Sequence, residues 1–400
     1  MKNIHCLIRK ILMNSHHRWR NYRGSMKKSA ALRFFRNHLF NRMFNSPKRP
    51  TYAYITITSL CNSQCRYCDM WKNKPDTELN TDEWKQIIDE FVKLGVVTLT
   101  FSGGEPFLRK DLFELAAYAK SQGLITMVVT NLSIFKEHDI EKIADSFDFF
   151  GISIDTTHPE IYKEIRGMDW LERIKGNVPK LMSGLALLQA EVNVCGMVTI
   201  TNKNADEMHD VIHMIFDELG MDTVSFNLLD PSGGATAAEL APTAKQITDS
   251  KQVISDHKSS YPISNSTRFL NQIGKFDYRC NPWKSVQINS TGHLLSPCLL
   301  ASGRPDIFPD VRKTDLCTHK LSDVWKEHQA IYAKYANCNL CNLGCVAESA
   351  WSTYDLPFVI NDTFRGTMVP TFTRVRKRNA GKAKPDIPLE ISSKKSCHER

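Results

Sequence analysis

Three cysteines within one short stretch are the residues of this chain best suited to chemistry. Cys61, Cys65 and Cys68 are spaced C-x₃-C-x₂-C and follow a strand-like run at residues 51–58. Three thiolates on one loop can bind three irons of a cubane cluster and leave the fourth iron without a protein ligand. Soft thiolates select zinc or iron–sulfur centres, but a structural zinc site usually has two pairs of ligands. The spacing favours an iron–sulfur centre, with zinc and unligated thiols as the alternatives.

A glycine-rich turn follows the second predicted strand. Residues 97–101 form a short, mostly apolar run that leads directly into Ser102–Pro106. Gly103 and Gly104 would let a ligand approach the backbone closely, because no Cβ is in the way, and Glu105 adds an acceptor. Taken alone, the segment is best explained as an ordinary strand-to-helix turn. Its position one helix after the cysteines predicts instead that a neighbouring strand carries it beside them.

Short apolar runs alternate with longer helical patterns from residue 51 to residue 227. The strands are predicted at 51–58, 97–101, 124–130, 148–154, 191–199 and 222–227, and the helices between them at 81–94, 110–122, 136–146, 171–188 and 205–219. This alternation indicates an α/β fold with a parallel sheet and right-handed crossovers. Six such units fit a partial (β/α)₆, TIM-like barrel, whose ligand sites gather at the carboxyl ends of the strands.

Together the cysteine triplet and the glycine-rich turn resemble the radical S-adenosylmethionine (radical SAM) superfamily. Its cluster motif has the same spacing, with an aromatic residue before the last cysteine, here Tyr67. Further matches at residues 128–131, 151–155 and 164–167 follow in the family's order. The resemblance covers roughly residues 50–227, and it implies the family's partial barrel and a 4Fe–4S cluster that binds SAM.

The resemblance also implies roles for individual residues. Gly103 to Glu105 would bind the amino group of the SAM methionine, with Glu105 paired to the amine. Asp155 would contact the ribose hydroxyls, and Ser153 shares its face because side chains two apart on a strand point the same way. Asn131 is a further polar contact. Arg166 would meet the SAM carboxylate through a bidentate pair, with a solvated surface arginine as an equal alternative.

The family's chemistry gives the expected activity. The reduced cluster would pass one electron to SAM, and the resulting 5′-deoxyadenosyl radical would abstract a substrate hydrogen. The expected outcome is oxidation or epimerisation of a small molecule, such as a sugar or aminoglycoside, or of a peptide. A reductase or a ferredoxin- or flavodoxin-type protein would donate the electron. The alternatives are an RNA-modifying radical SAM enzyme and a non-catalytic, nucleic-acid-associated protein with zinc at its cysteine sites.

A second cysteine group lies near the C-terminus. Cys280 and Cys298 flank a strand, glycine turn and strand pattern, and Cys338, Cys341 and Cys345 follow. The layout resembles the auxiliary-cluster domain of SPASM and twitch radical SAM enzymes, although the chain lacks the later cysteines of a full SPASM domain. It implies one auxiliary 4Fe–4S cluster bound by the first four, with Cys345 as a possible replacement for one of them. A structural zinc ribbon is the alternative.

The predicted organisation has five parts. These are a basic, helical N-terminal arm (1–50), the barrel (51–227), a linker or lid (228–275), the small Cys-rich auxiliary-cluster domain (276–350) and a partly disordered tail (351–400). A short helix is expected at residues 321–325, between the two halves of the Cys-rich domain.

The net charge of +9 is concentrated in the N-terminal arm. Residues 1–50 contain 13 Lys or Arg and no Asp or Glu, whereas the remaining 350 residues contain 39 basic and 43 acidic side chains. Such an arm could contact anionic lipid, nucleic acid or an acidic partner, but a solvated helical extension is the favoured interpretation.

The sequence predicts a protein of the cytoplasm. No run of eighteen apolar residues predicts a membrane-spanning helix, and the first residues lack the apolar core and cleavage site of a signal peptide. Clustered cysteines with iron–sulfur spacing then favour a reducing compartment over one that forms disulfides.

Overall fold

The computed structural model describes residues 33, 36, 37, 41, 48–72, 74–231, 236–274, 280, 282–298, 309–335 and 338. Cys341, Cys345, the C-terminal tail and most of the N-terminal arm therefore lie outside the described residues. The strands are β1 (Tyr52–Thr58), β2 (Thr98–Gly103), β3 (Ile125–Thr130), β4 (Phe149–Ser153), β5 (Asn193–Ile200), β6 (Thr223–Leu228), β7 (Ser285–Ile288), β8 (His293–Ser296) and β9 (Arg312–Asp315).

The described helices alternate with the first six strands and continue beyond them. They are α1 (Thr81–Leu94), α2 (Leu112–Ser121), α3 (Ile140–Ser146), α4 (Pro159–Arg166), α5 (Leu171–Leu187), α6 (Met208–His213), α7 (Ala244–His257), α8 (Thr267–Gln272), α9 (Leu321–Glu327) and α10 (Gln329–Lys334). None of the helices in the described part of the chain is long and apolar enough to cross a membrane.

The nine strands form one sheet in the order β6-β5-β4-β3-β2-β1-β7-β8-β9. The neighbours from β6 to β1 are parallel, as predicted, and β7 is also parallel to β1. The pairs β7–β8 and β8–β9 are antiparallel. The predicted α/β class with six strand–helix units is confirmed, and the carboxyl ends of six parallel strands meet at one edge.

The core lies between the sheet and the helices that cover it. Ile57 of β1 and Phe101 of β2 are fully buried, and so are Trp84, Ile88 and Phe91 of α1. Strands β3 and β4 are buried along almost their whole length and read as nearly continuous apolar runs, whereas β5 alternates buried and half-buried residues.

Helix α1 shows how local sequence sets an element's ends. Asn80 accepts hydrogen bonds from the backbone N–H groups of Asp82 and Glu83, while the Glu83 carboxylate accepts from the N–H of Asn80. This capping box satisfies donors that have no partner inside the helix. The last helical residue is Leu94, and Gly95, whose φ of 94° is left-handed, terminates the helix. The predicted bounds of 81–94 are therefore correct.

Two helical elements differ from the sequence prediction. Helix α4 was not predicted, although Pro159 at its first turn and Gly167 after its last are typical helix boundaries. The helix predicted at 205–219 is instead a short 3₁₀ turn, α6 and a π turn over Met214–Glu218.

The described part of residues 228–275 packs beside β6, at the end of the sheet. Ile263 makes a parallel bridge to Val224 of β6. The side chain of Asn265 accepts from the backbone N–H of Phe226 at 2.7 Å and donates to its carbonyl at 2.9 Å. These contacts satisfy the backbone groups of an otherwise open strand edge.

Candidate functional site

The three cysteines lie on the loop that follows β1, at the carboxyl edge of the sheet. All three thiols are half-buried. The backbone N–H of Ser63 points to Cys61 Sγ at 3.4 Å, and its hydroxyl lies 3.4 Å from Cys65 Sγ. The N–H of Cys68 donates to the carbonyl of Cys65 at 3.2 Å. The loop therefore brings backbone and hydroxyl donors to its own sulfur atoms.

The end of α4 holds one side of the cysteine loop. The N–H groups of Gln64 and Arg66 donate to the carbonyls of Arg166 and Ile165, at 3.3 and 3.0 Å. Gly167 has a φ of 73°, and a Cβ there would lie 2.4 Å from the Gln64 carbonyl oxygen. Because that oxygen belongs to the backbone, a larger residue would displace the loop.

The glycine-rich turn after β2 holds the other side of the loop. The N–H of Gly104 donates to the Thr58 carbonyl at 2.8 Å, and that of Glu105 to the Leu60 carbonyl at 2.7 Å. A Cβ on Gly103 or Gly104 would lie 2.3 or 2.1 Å from those same two oxygens. The two glycines thus permit a close approach of the chain to itself, which holds the turn against the cysteine loop.

The carboxylate of Glu105 is buried and bonded to the end of β3. Its oxygens accept hydrogen bonds from the Thr130 hydroxyl at 2.7 Å and the Asn131 N–H at 2.8 Å, and from the Phe107 N–H at 3.2 Å. Burial raises the pKa of Glu105, against the lowering effect of these donors. Glu105 therefore joins the end of β2 to the end of β3 beside the cysteine loop.

Asn131 connects the cysteine loop to β3. Its side-chain amide donates to Asn62 Oδ1 at 2.9 Å, and its own Oδ1 accepts from the Ser133 N–H and hydroxyl. Asn62 in turn donates to the Ser133 hydroxyl at 3.0 Å. Asn62 and Ser133 were not predicted as site residues. The position of Asn62 directly after Cys61 was the available signal.

Asp155 and Arg166 form a bidentate ion pair below the loop. Nε of Arg166 lies 2.6 Å from Oδ2, and its terminal nitrogen 2.9 Å from Oδ1. The Asp155 side chain is 0 % and the Arg166 side chain 10 % exposed. The N–H of Thr199 also donates to Oδ1 at 2.8 Å. Because the Arg166 side chain is almost buried and paired with Asp155, a solvated surface arginine, the alternative for this residue, is excluded. The two residues predicted to contact different parts of SAM are bonded to each other.

Tyr67 and Ser153 complete the set of predicted SAM contacts. The Arg166 guanidinium carbon lies 5.3 Å from the centroid of the Tyr67 ring, within the range of a cation–π contact. Burial raises the pKa of the Tyr67 phenol. Ser153 ends β4 and is half-buried. The structure thus places all the predicted barrel residues at one edge of the sheet.

The donor set suits a cluster better than a single ion. Burial raises the pKa of the Cys61 thiol to about 11 and also raises that of Cys68, so metal binding would have to release protons. Zn–S bonds of about 2.3 Å place tetrahedral thiolates about 3.8 Å apart. A structural zinc ion usually has two pairs of ligands, whereas this loop offers three thiols, each of which can bind a separate iron of a cubane.

The described part of the second cysteine group adjoins the cysteine loop through the sheet. The predicted hairpin is present as β7 and β8, with Cys280 buried before it and Cys298 half-buried after it. The hydroxyls of Ser59 and Ser290 lie 2.8 Å apart and connect the loop to the hairpin turn. Cys338 is half-buried, and the predicted ligands Cys341 and Cys345 lie outside the described residues.

Comparison with known proteins agrees with this geometry. Residues 55–215 match the family model described as "Radical SAM superfamily". The chain is 30 % identical over 207 residues to an Fe-coproporphyrin III synthase of Methanosarcina barkeri, and the aligned region covers 49 % of each protein. It is 29 % identical over 212 residues to a PqqA peptide cyclase of Bradyrhizobium diazoefficiens, covering 52 % of this chain and 54 % of the relative. The chain thus spans about half the length of these relatives.

A solved structure extends the similarity in fold beyond the matched domain. Streptococcus suis SuiB bound to the precursor peptide SuiA superposes with a TM-score of 0.61, at 17 % sequence identity, over 78 % of this chain and 75 % of SuiB. At this identity the similarity concerns the fold alone. With the family match and the cysteine loop at the expected edge of the sheet, the assignment is clear: residues 55–215 are a domain of the radical SAM superfamily.

Proposed function

We propose that the chain is a radical SAM enzyme whose 4Fe–4S cluster is bound by Cys61, Cys65 and Cys68. When bound, the cluster supplies one electron to SAM, whose cleavage gives a 5′-deoxyadenosyl radical that abstracts a substrate hydrogen. The observation that carries the proposal is the cysteine loop, which is fixed between Gly104 on one side and Gly167 on the other. This fixed backbone supports three thiols and leaves one corner of a cubane without a protein ligand.

The contacts divide the site residues into two groups in this proposal. Glu105, Asp155 and Arg166 already use their polar atoms on one another, on a neighbouring hydroxyl or on the backbone, so they act as positioning residues that hold the loop and the strand ends. The side chain of Asn131 is likewise bonded to the cysteine loop and to its own turn, so it belongs to the same group. Ser153, at the end of β4, remains the candidate for direct polar contact with SAM. Rigid positioning of this kind can supply several kcal/mol of a reaction barrier.

The proposed substrate is a peptide or a small organic molecule. The peptide side of this proposal is supported by the similarity to a PqqA peptide cyclase and by the shared fold with SuiB, solved with a precursor peptide. The small-molecule side is supported by the similarity to an Fe-coproporphyrin III synthase. Oxidation of the substrate after hydrogen abstraction is the proposed outcome, with an electron donor of the ferredoxin or flavodoxin type.

The decisive test is SAM cleavage by the full chain. Protein reconstituted with iron and sulfide without oxygen, and then reduced with dithionite, should convert SAM to 5′-deoxyadenosine. Cys65→Ser should abolish this activity, whereas Cys317→Ser should retain it, because Cys317 is exposed and lies outside both proposed ligand sets. A colourless wild-type protein that binds zinc and leaves SAM intact would refute the proposal.

We also propose one auxiliary 4Fe–4S cluster bound by Cys280, Cys298, Cys338 and Cys341, with Cys345 as the substitute for one ligand. The support is the pairing of β7 with β1, which brings the hairpin between Cys280 and Cys298 onto the barrel sheet. Cys298→Ser should lower bound iron from about eight to about four per chain, as expected for two cubanes, with the Cys317→Ser variant unchanged. Equal iron in both variants would exclude Cys298 as a ligand.

A further inference from the structure

Three histidines converge on the outside of the barrel, where α6 packs against α7. His209 and His213 lie four residues apart on α6 and therefore share one helix face. His257 is the last residue of α7. One ring nitrogen of each lies within 4.8 Å of the other two, and His209 Nδ1 is 3.0 Å from His257 Nε2. The three rings thus direct ligand atoms to one place.

In two of these histidines, Nδ1 is bonded to an oxygen acceptor. Nδ1 of His213 lies 2.8 Å from an Asp217 carboxylate oxygen, and Nδ1 of His257 lies 2.8 Å from the Val253 carbonyl oxygen. An oxygen of either kind can only accept here, so each Nδ1 carries the proton and each Nε2 keeps its lone pair in the neutral ring. Histidines that bind metals almost always donate their other N–H to a carboxylate or a carbonyl in this way.

Asp217 is itself held in place. The Tyr261 hydroxyl donates to the same carboxylate oxygen at 2.8 Å. Asp217 belongs to the π turn that continues α6, in which the N–H of Leu219 bonds to the Met214 carbonyl five residues earlier. Such turns are rare and occur frequently at functional sites. The chain therefore supplies an oriented outer carboxylate next to the three rings.

We propose that His209, His213 and His257 bind one divalent transition-metal ion, with zinc as the best match. Imidazole nitrogens suit zinc, copper, nickel and iron, whereas magnesium and calcium prefer oxygen ligands. Zn–N bonds of about 2.0–2.1 Å separate tetrahedral ligands by about 3.3 Å, close to the 3.0 Å between His209 and His257. Three protein ligands leave the fourth position of the ion to water.

The ion would fasten α7 to the last helix of the barrel. A nearby contact of α7 is the Ser250 hydroxyl, which donates at 2.8 Å to the carbonyl of Ala205, in the 3₁₀ turn just before α6. The site lies on the helix layer, and its ligands are separate from the thiols at the strand ends. The ion would hold residues 244–257 in place, and it is separate from the proposed site of SAM cleavage.

Cobalt binding tests the site in the full chain. The protein is first reconstituted with iron and sulfide so that its clustered cysteines are occupied, and Co²⁺ is then added without oxygen. The difference spectrum on Co²⁺ addition to wild type should show visible ligand-field absorption without the ultraviolet charge-transfer band of a cobalt–thiolate bond, and Zn²⁺ but not Mg²⁺ should displace the cobalt. His257→Ala should lose this signal. His138→Ala should retain it, because His138 is an exposed histidine on another face.

A milder variant covers the case in which His257→Ala fails to fold. Asp217→Asn keeps all three ring ligands and removes the charge of the outer carboxylate. It should weaken zinc binding about 10- to 100-fold, while the Tm without added metal stays close to that of wild type. Zinc should raise the Tm of wild type more than that of Asp217→Asn. Equal zinc affinity in wild type and both variants, or a cobalt–thiolate band in place of the expected spectrum, would overturn the proposal.

Discussion

Replacing Arg166 with alanine should be one of the most destabilising changes at the strand ends. The substitution removes both hydrogen bonds to Asp155 and leaves that carboxylate fully buried. Removing one partner of a buried ion pair typically costs about 3–5 kcal/mol, because the remaining charge is uncompensated. The Thr199 N–H still donates to Asp155, so we expect a loss of about 3 kcal/mol. Loss of the contact with the Tyr67 ring adds up to about 2 kcal/mol when desolvated.

Arg66→Ala is the matched control for this prediction. Arg66 lies on the cysteine loop beside the end of α4 and pairs with Glu164 and Glu239, but the three side chains are 34 %, 40 % and 62 % exposed. Exposed pairs of this kind contribute about 0–1 kcal/mol. Guanidinium unfolding of both variants gives the two free energies of unfolding. A difference of less than about 1 kcal/mol between them would refute the reasoning. A smaller loss in the double variant Asp155→Asn/Arg166→Ala than in Arg166→Ala alone would support it.

Two further predictions concern close packing and pH. Gly104→Ala should reduce cluster binding, measured as iron per chain, because its Cβ would lie 2.1 Å from the Leu60 carbonyl oxygen. The control is Gly176→Ala, which should leave the iron content unchanged because nothing lies within 4 Å of its new Cβ. Burial and the nearby Arg312 lower the pKa of His328 from 6.5, so at acidic pH the unfolded chain binds more protons than the folded one. Wild type should therefore lose stability as the pH falls through about 6.5. The His328→Gln variant should lose less stability over the same range, as measured by Tm against pH.

The strands could be predicted because their signal is local. Each of β1–β6 lies within two residues of its predicted bounds, since buried parallel strands appear as apolar runs between turn residues. Helix α4 was missed because it is short, although its proline and glycine boundaries were visible. The π turn after α6 could not be predicted, because it depends on how α6 packs rather than on its own periodicity.

The site could be predicted as a set of residues but not as a network. Motif spacing identified the three cysteines and the glycine-rich turn, and the topology brought them to one edge. The pairing of Asp155 with Arg166 is a tertiary contact across α4, and no periodic pattern reports it. The same holds for Gly104, whose neighbour is the Leu60 carbonyl, and for Asn62, which bonds to Asn131 just after β3.

The position of β7 has a consequence for how the protein is made. β1 is bordered on one side by β2, which is synthesised soon afterwards, and on the other by β7, which lies more than 200 residues later. On the ribosome, one edge of the strand that carries the cysteines stays unpaired until most of the chain has emerged. Exposed strand edges promote aggregation, so this edge would need protection until β7 has been synthesised.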